Sequence, residues 1–220
     1  MNIEQVRFNM VEQQIRTWDV LDTDVLDLLH VIKRETFVPT EQREYALMDI
    51  ETPLTPVSKT QKMWSPRMEA RILQDIALDG SEHVLEVGTG SGYLTALLAA
   101  RSNKVTSVEI DPALTAFAAE NLRRAKISNV SLHTGDAAHG FASAGPFDVM
   151  VFTGSMEVVP EAALTQLKAG GKLFAIVGKA PTMYAKILRK SAGGMITERT
   201  LFETQVAALE NAARAPAFIF

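Results

Sequence analysis

The sequence predicts an α/β fold, a doubly wound and mostly parallel sheet with helices on both faces, carrying a helical extension at its N-terminus. Three observations lead there. After Gly80, short apolar runs alternate with helical patterns; those runs are apolar at consecutive positions; and a glycine-rich turn follows the first of them. A strand covered on both faces has no polar side to present, so an unbroken apolar run separated from the next by a helix reads as parallel β.

Taken in order, Ile3, Val6, Met10 and Ile15, then Val20, Val25, Leu28, Leu29 and Ile32, recur at helical spacing and predict two helices broken within 17–23. Phe37-Val38-Pro39 ends the second. Residues 40–65 carry Pro53 and Pro56 and sustain no period, which predicts a long loop of the kind that tends to carry function. Ser65-Pro66 then pairs an N-cap with a first-turn proline ahead of the apolar face Met68, Ile72, Leu73 and Ile76. Strands are expected at 83–87, 104–109, 130–134, 149–153 and 173–177, with helices at 93–100, 112–126 and 160–168 between them. The tail segments 185–189, 196–202 and 215–220 add further strands, antiparallel ones. The organisation expected is residues 1–79 as helices and a loop packed on an α/β core of 80–220.

Composition narrows the function. The 220 residues are 47% hydrophobic and 22% charged, enough apolar material for a sizeable core. With 22 Lys and Arg against 26 Asp and Glu the formal charge is -4, so no broad cationic field is available to hold nucleic-acid phosphates. The absence of cysteine excludes disulfides, thiolate nucleophiles and thiolate metal sites. His30, His83, His133 and His139 show no ligand spacing, and no metal is expected. The N-terminal MNIEQVRFNMVEQQIR has neither the hydrophobic run nor the cleavage site of a secretory signal, and 94–100, the most apolar stretch, is about a third of the ~20 residues a bilayer demands. A cytoplasmic protein without a membrane span is the expectation.

The chemistry sits where the first strand gives way to a helix, at Glu86-Val87-Gly88-Thr89-Gly90-Ser91-Gly92-Tyr93. Glycines there allow a tight turn and a close ligand approach at the carboxyl end of a strand. A dinucleotide fold spaces its glycines G-x-G-x-x-G to seat a pyrophosphate on the helix N-terminus. Here the pattern is acidic-x-G-x-G-x-G, and a carboxylate at Glu86 suits a cationic ligand. The second strand ends in Glu109-Ile110-Asp111, where an acid can accept hydrogen bonds from both ribose hydroxyls, and the third ends near Asp136-Ala137 on the same rim, against the adenine end. An adenosine carrying a sulfonium and an amino group meets these demands. Asp111-Pro112 reads as a helix cap rather than a ligand.

These features resemble those of S-adenosylmethionine-dependent methyltransferases with a Rossmann-like core, and Met10-Val11-Glu12-Gln13-Gln14-Ile15-Arg16, Phe37-Val38-Pro39, the glycine block, Pro146-Phe147-Asp148 and Gln166-Leu167-Lys168-Ala169-Gly170-Gly171-Lys172-Leu173 resemble, in order, the blocks of the protein-L-isoaspartate O-methyltransferase family. The resemblance covers roughly residues 10–180. It implies S-adenosyl-L-methionine as cofactor, bound by Glu86, Gly88, Thr89, Gly90, Ser91, Gly92, Glu109, Ile110, Asp136 and Ala137, and methyl transfer to the carboxylate of isoaspartyl residues in damaged proteins or peptides. The chain departs from the family's Gln-Thr-Ile-Ser-Gln-Pro loop: between Gln61 and Pro66 stand Lys62, Met63, Trp64 and Ser65, with Lys62 at the threonine position and Trp64 at the serine.

Lys62 and Ser65 are the catalytic candidates, Ser65 doubling as an N-cap. Lys59, Lys62 and Arg67 either attract an acceptor carboxylate or are simply solvated; Trp64 either stacks on a substrate or fills a gap; Tyr93 stands either at the cofactor's edge or in the core. The acceptor carboxylate is already ionised at neutral pH, so alignment rather than a general base carries the chemistry. Two other readings are a methyltransferase with a different acceptor, a small molecule or another protein, and a cofactor-binding homologue without catalysis.

Overall fold

The computed structural model describes residues 2–55, 58 and 60–216. Helix α1 (Ile3–Asn9) runs into a wider π-type turn at Met10–Ile15 and a tight turn at Arg16–Trp18, and the left-handed Asp19 ends the coil inside the expected break. Helix α2 (Thr23–Val31) is capped by Asp22, whose carboxylate accepts from the backbone of Asp24 and Val25, and it stops before the Phe37-Val38-Pro39 block. The predicted loop holds more order than its sequence shows: a helical turn at Thr40–Tyr45 and a two-stranded antiparallel ladder of β1 (Thr52–Pro53) with β2 (Lys62–Met63). Strands of two residues are too short to leave a period. Helix α3 (Pro66–Ile76) starts at the expected proline.

From there the pattern is as expected: β3 (His83–Val87), α4 (Tyr93–Ala100), β4 (Lys104–Glu109), α5 (Pro112–Arg124), β5 (Val130–Thr134), β6 (Phe147–Met156), α6 (Glu161–Thr165) and β7 (Leu167–Lys179). β6 and β7 run longer than their apolar cores, and α6 is shorter than its sequence pattern. β8 (Thr182–Lys190) and β9 (Ile196–Thr204) are the two antiparallel additions. Of the proposed third tail strand, 217–220 lie outside the described residues, and 215–216 form no strand.

The seven strands are ordered β5-β4-β3-β6-β7-β8-β9, with β3 paired in parallel to both β4 and β6. The winding therefore reverses between β3 and β6, and a crevice opens at their carboxyl ends. One face of the sheet is covered in depth by α2, α3, α4 and α5, joined in one core with Val84, Val105, Val149 and Phe174. Because α4 lies inside that layer, every residue from Tyr93 to Ala99 is buried, which explains why Thr95 and the Tyr93 hydroxyl are its only polar side-chain groups. The other face is thinner, with Leu85, Met150 and Phe152 packed under Ala163 of α6 and the loop residue Phe141. No helix among the described residues is long and apolar enough to cross a membrane.

Candidate active site

The glycine turn lies at the crevice. Gly88 has φ +93°, and a Cβ there would come within 2.1 Å of Thr153 Oγ1 on β6. Only glycine fits, because Thr153 Oγ1 is 2.8 Å from the carbonyl oxygens of both Val87 and Gly88 and binds β6 to the turn. Gly92, at φ +81°, opens α4 where a side chain would press into Ala118 and Leu122 of α5. On α5, Asn121 Nδ2 donates to Ser91 O at 2.9 Å and to Phe37 O at 3.2 Å, so one buried amide fastens the turn to the Phe37-Val38-Pro39 block.

Glu109 stands at the end of β4 and is buried. Its Oε2 accepts from Gly90 N at 2.9 Å and its Oε1 from Asp111 N at 3.1 Å, so the carboxylate is fixed yet keeps acceptor capacity toward the cleft it lines. That cleft has a volume of about 500 Å³ and is walled by Gly88, Gly90, Glu109, Ile110, Thr153 and, from the tail, Leu209. The size suits a nucleoside-sized ligand. A side recess of about 50 Å³ continues past Gly88 to Gly135, Asp136 and Ala137. Asp136 is exposed and accepts from Ala138 N at 2.9 Å and from Asn211 Nδ2 at 2.8 Å.

The other expected residues sit beneath or beside the turn. Glu86 is fully buried beneath the turn and lines none of these cavities. Its Oε2 accepts from Thr95 Oγ1 at 2.5 Å and from Ser107 Oγ at 2.6 Å, and Thr89 Oγ1 in turn reaches Ser107 Oγ at 2.5 Å. Glu86 thus anchors the turn from below; burial pushes its carboxyl up to about 7, against the pull of Ser107 and Thr95. The hydroxyl of Thr89 bonds Ser107 and that of Ser91 accepts from Tyr93 N, while both residues line a small recess beside Gly88. Tyr93 is a core residue, edge-on to Phe37 at 5.4 Å. Asp111 caps α5 through Ala113 N and holds Gln61 Nε2 at 2.9 Å, a tie from the loop to the cofactor side.

On the loop, Lys62 reaches Glu51 at 3.0 Å across the mouth of the main cleft. Trp64 is 7% exposed and edge-on to Phe174, so it fills the gap between loop and sheet. It also walls both the main cleft and a second one of about 490 Å³ that holds Trp18, Ser65, Arg67 and Arg71. Ser65 occupies the N-cap position of α3 by its backbone, but its hydroxyl makes no capping bond and faces the second cleft. Arg67 stacks on Trp18 at 3.8 Å and pairs with Asp49 at 3.2 Å. Lys59 lies outside the described residues.

Sequence reasoning missed Arg34 and the tail. Arg34 is fully buried, donating from Nε to Ala46 O at 3.0 Å, from Nη2 to Trp64 O at 2.7 Å and from Nη1 to Glu69. The tail crosses the crevice: Ser155 N donates to Ala207 O, Leu209 N to Ser155 O, and Leu209 lies so close that a Cβ on Gly154 would meet its Cγ at 2.8 Å. An arginine inside a helical turn and an aperiodic tail give no sequence signal of these roles.

Comparison with known proteins decides what this site belongs to. Residues 5–212 match the family model for protein-L-isoaspartate(D-aspartate) O-methyltransferase. The chain belongs to this family. The protein-L-isoaspartate O-methyltransferase of Vibrio parahaemolyticus is 38% identical over 171 residues, covering 78% of this chain and 81% of that protein. That of Trichlorobacter lovleyi is 32% identical over 200 residues and covers 91% of each. A solved protein-L-isoaspartate O-methyltransferase superposes with a TM-score of 0.81 at 25% identity over 92% of this chain and 65% of that one. A candidate family member from Plasmodium falciparum, solved in complex with S-adenosyl-L-homocysteine, shares the fold, with a TM-score of 0.75 at 21% identity over 95% of this chain and 98% of that one.

Proposed function

We propose that the chain is an S-adenosylmethionine-dependent methyltransferase that methylates the carboxylate of isoaspartyl residues in proteins or peptides, in the cytoplasm. The observation that carries this is the Glu109 carboxylate, held by Gly90 N and Asp111 N at the rim of a cleft of about 500 Å³ where the strand order reverses. It is the acceptor pair a ribose requires, on the turn whose glycines admit a ligand to the backbone. Family membership supplies the acceptor class. The donor set suits the cofactor, since the cleft combines an acidic ribose acceptor with recesses on both sides of Gly88.

When bound, the cofactor supplies an electrophilic methyl on a sulfonium. The residues of this chain bind, align and exclude water. Glu109 holds the ribose; Asp136 and Ala137 bound the adenine side; Gly88 and Gly90 present backbone. An acceptor carboxylate needs no proton removed, as its ordinary pKa is near 4. Alignment of reacting atoms can contribute roughly 7–11 kcal/mol. Ser65, whose hydroxyl has no capping duty, is placed to donate to an acceptor in the second cleft, beside Arg67.

Radiolabelled methyl transfer to an isoaspartyl peptide and to its aspartyl twin tests the reading. Transfer to the first alone is expected. Equal transfer to both, or to neither while a small-molecule acceptor is labelled, would overturn it.

A further inference from the structure

Beside the glycine turn the main cleft opens into an inner recess of about 40 Å³, bounded by Lys62, Trp64, Glu69, Gly88 and Ser91. Lys62, Trp64, Gly88, Gly90 and Thr153 line both, so the recess is continuous with the cleft. A water-sized site takes roughly 10–15 Å³, so this space admits a charged head group and a methylene but no ring. It lies on one side of Gly88, and the recess with Asp136 and Ala137 lies on the other. A nucleoside whose ribose met Glu109 and whose base met Asp136 would have the inner recess left for its 5′ substituent.

That recess has an acid and a cation in its wall; burial pushes the Glu69 carboxyl up to about 8 against the pull of Arg34, and a ligand ammonium placed beside it favours the charged form. Glu69, in the first turn of α3, is 3% exposed. Its Oε2 accepts from Arg34 Nη1, while its Oε1 has no hydrogen-bond partner among the described residues. Glu109 is committed to Gly90 and Asp111, and Glu86 is turned away to Thr95 and Ser107, which leaves Glu69 as the carboxylate facing this space. Lys62 supplies the cation. Its ammonium is 3.0 Å from Glu51 with both side chains over a third exposed. A rim pair of that kind contributes about 0–1 kcal/mol, so exchanging Glu51 for a ligand carboxylate costs little.

We propose that Glu69 and Lys62 form a clamp for the zwitterionic amino-acid end of the cofactor, its ammonium on Glu69 and its carboxylate on Lys62. The clamp rests on the S-adenosylmethionine reading of the cleft and gives Lys62 a binding role in place of a catalytic one. An α-amino acid head group satisfies both charges at once, which an adenosine lacking that group does not.

Calorimetry with two ligands tests it: S-adenosylhomocysteine, which carries the amino acid, and 5′-methylthioadenosine, which keeps the nucleoside and thioether but lacks it. Glu69→Gln preserves shape and an acceptor for Arg34; Lys62→Gln alters only an exposed side chain of the ladder. Each is expected to weaken S-adenosylhomocysteine about tenfold and to leave 5′-methylthioadenosine within about twofold. An equal loss for both ligands, or no loss for S-adenosylhomocysteine in the folded Lys62→Gln protein, overturns the clamp alone. Failure of the unaltered chain to bind either nucleoside overturns the cofactor reading and the clamp with it.

Discussion

The carbonyl oxygen of Trp64 accepts a hydrogen bond from Arg34 Nη2 at 2.7 Å, where the two clefts share a wall. The same guanidinium holds Ala46 O and Glu69 and lies over the Tyr93 ring at 5.2 Å. The wall is therefore a fixture braced from inside the N-terminal layer. Replacing Arg34 by Met should strand the buried Glu69 carboxylate and free the Trp64 carbonyl, destabilising the chain by about 3–5 kcal/mol. Urea denaturation measures it; a loss below about 1 kcal/mol would show that Arg34 is not the brace.

Trp64→Ser should join the two clefts. A misplacement of about 1 Å can cost roughly 100-fold in rate, and Trp64 lines both clefts, so its indole bears on how an acceptor reaches the cofactor side. Turnover of an isoaspartyl peptide at saturating cofactor is expected to rise about tenfold. Stability should fall by about 3–5 kcal/mol, because a buried aromatic is removed from Phe174. Unchanged turnover in the folded variant would remove Trp64 from control of the acceptor.

Glu109→Ala removes the ribose acceptor. S-adenosylhomocysteine binding should weaken by about 1.5–3 kcal/mol, read by calorimetry, and Glu109→Gln should lose less, since it keeps one acceptor oxygen. Equal affinity for all three proteins would mean that the ribose lies elsewhere.

Glu86 makes stability depend on pH. Burial raises its carboxyl to about 7 from the ordinary 4.5, so between those values the folded chain holds a proton that the unfolded chain has released. A raised acid leaves stability untouched below about 4.5 and lowers it progressively as pH climbs to about 7, by on the order of 3 kcal/mol at most. Melting curves between pH 4.5 and 8 for the parent and Glu86→Gln should diverge in that window, the parent losing more. Parallel curves would mean that Glu86 titrates normally.

Much of this was legible in the chain itself. The strands from His83 to Val177 announce themselves because doubly covered β must be apolar throughout, and Glu109 is readable because a polar residue closing such a strand stands at the carboxyl ends where the crevice opens. Glu86 was readable as an acid but not as a buried one. Within a strand that is covered on both faces, direction depends on which hydroxyls wait there, and Thr95 and Ser107 lie 9 and 21 residues away. Glu69 looks like an ordinary acid in a helix's first turn, where the dipole favours one. Its meaning comes from Arg34, 35 residues upstream. Ser65 and Pro66 mark the start of α3 correctly, while the freedom of the Ser65 hydroxyl emerges only once the loop is folded.

The tail that seats Leu209 against Gly154 gives the order of synthesis a hold on ligand binding. Glu51 and Glu210 wall the same cleft. A chain still leaving the ribosome can form β3 to β7 before residues 205–210 supply their side of the cleft. Mass action from cofactor is therefore expected to stabilise a chain that holds this segment in place more than one that lacks it. Chains cut short before Gln205 would gain less from ligand and depend more on the stability of the sheet itself.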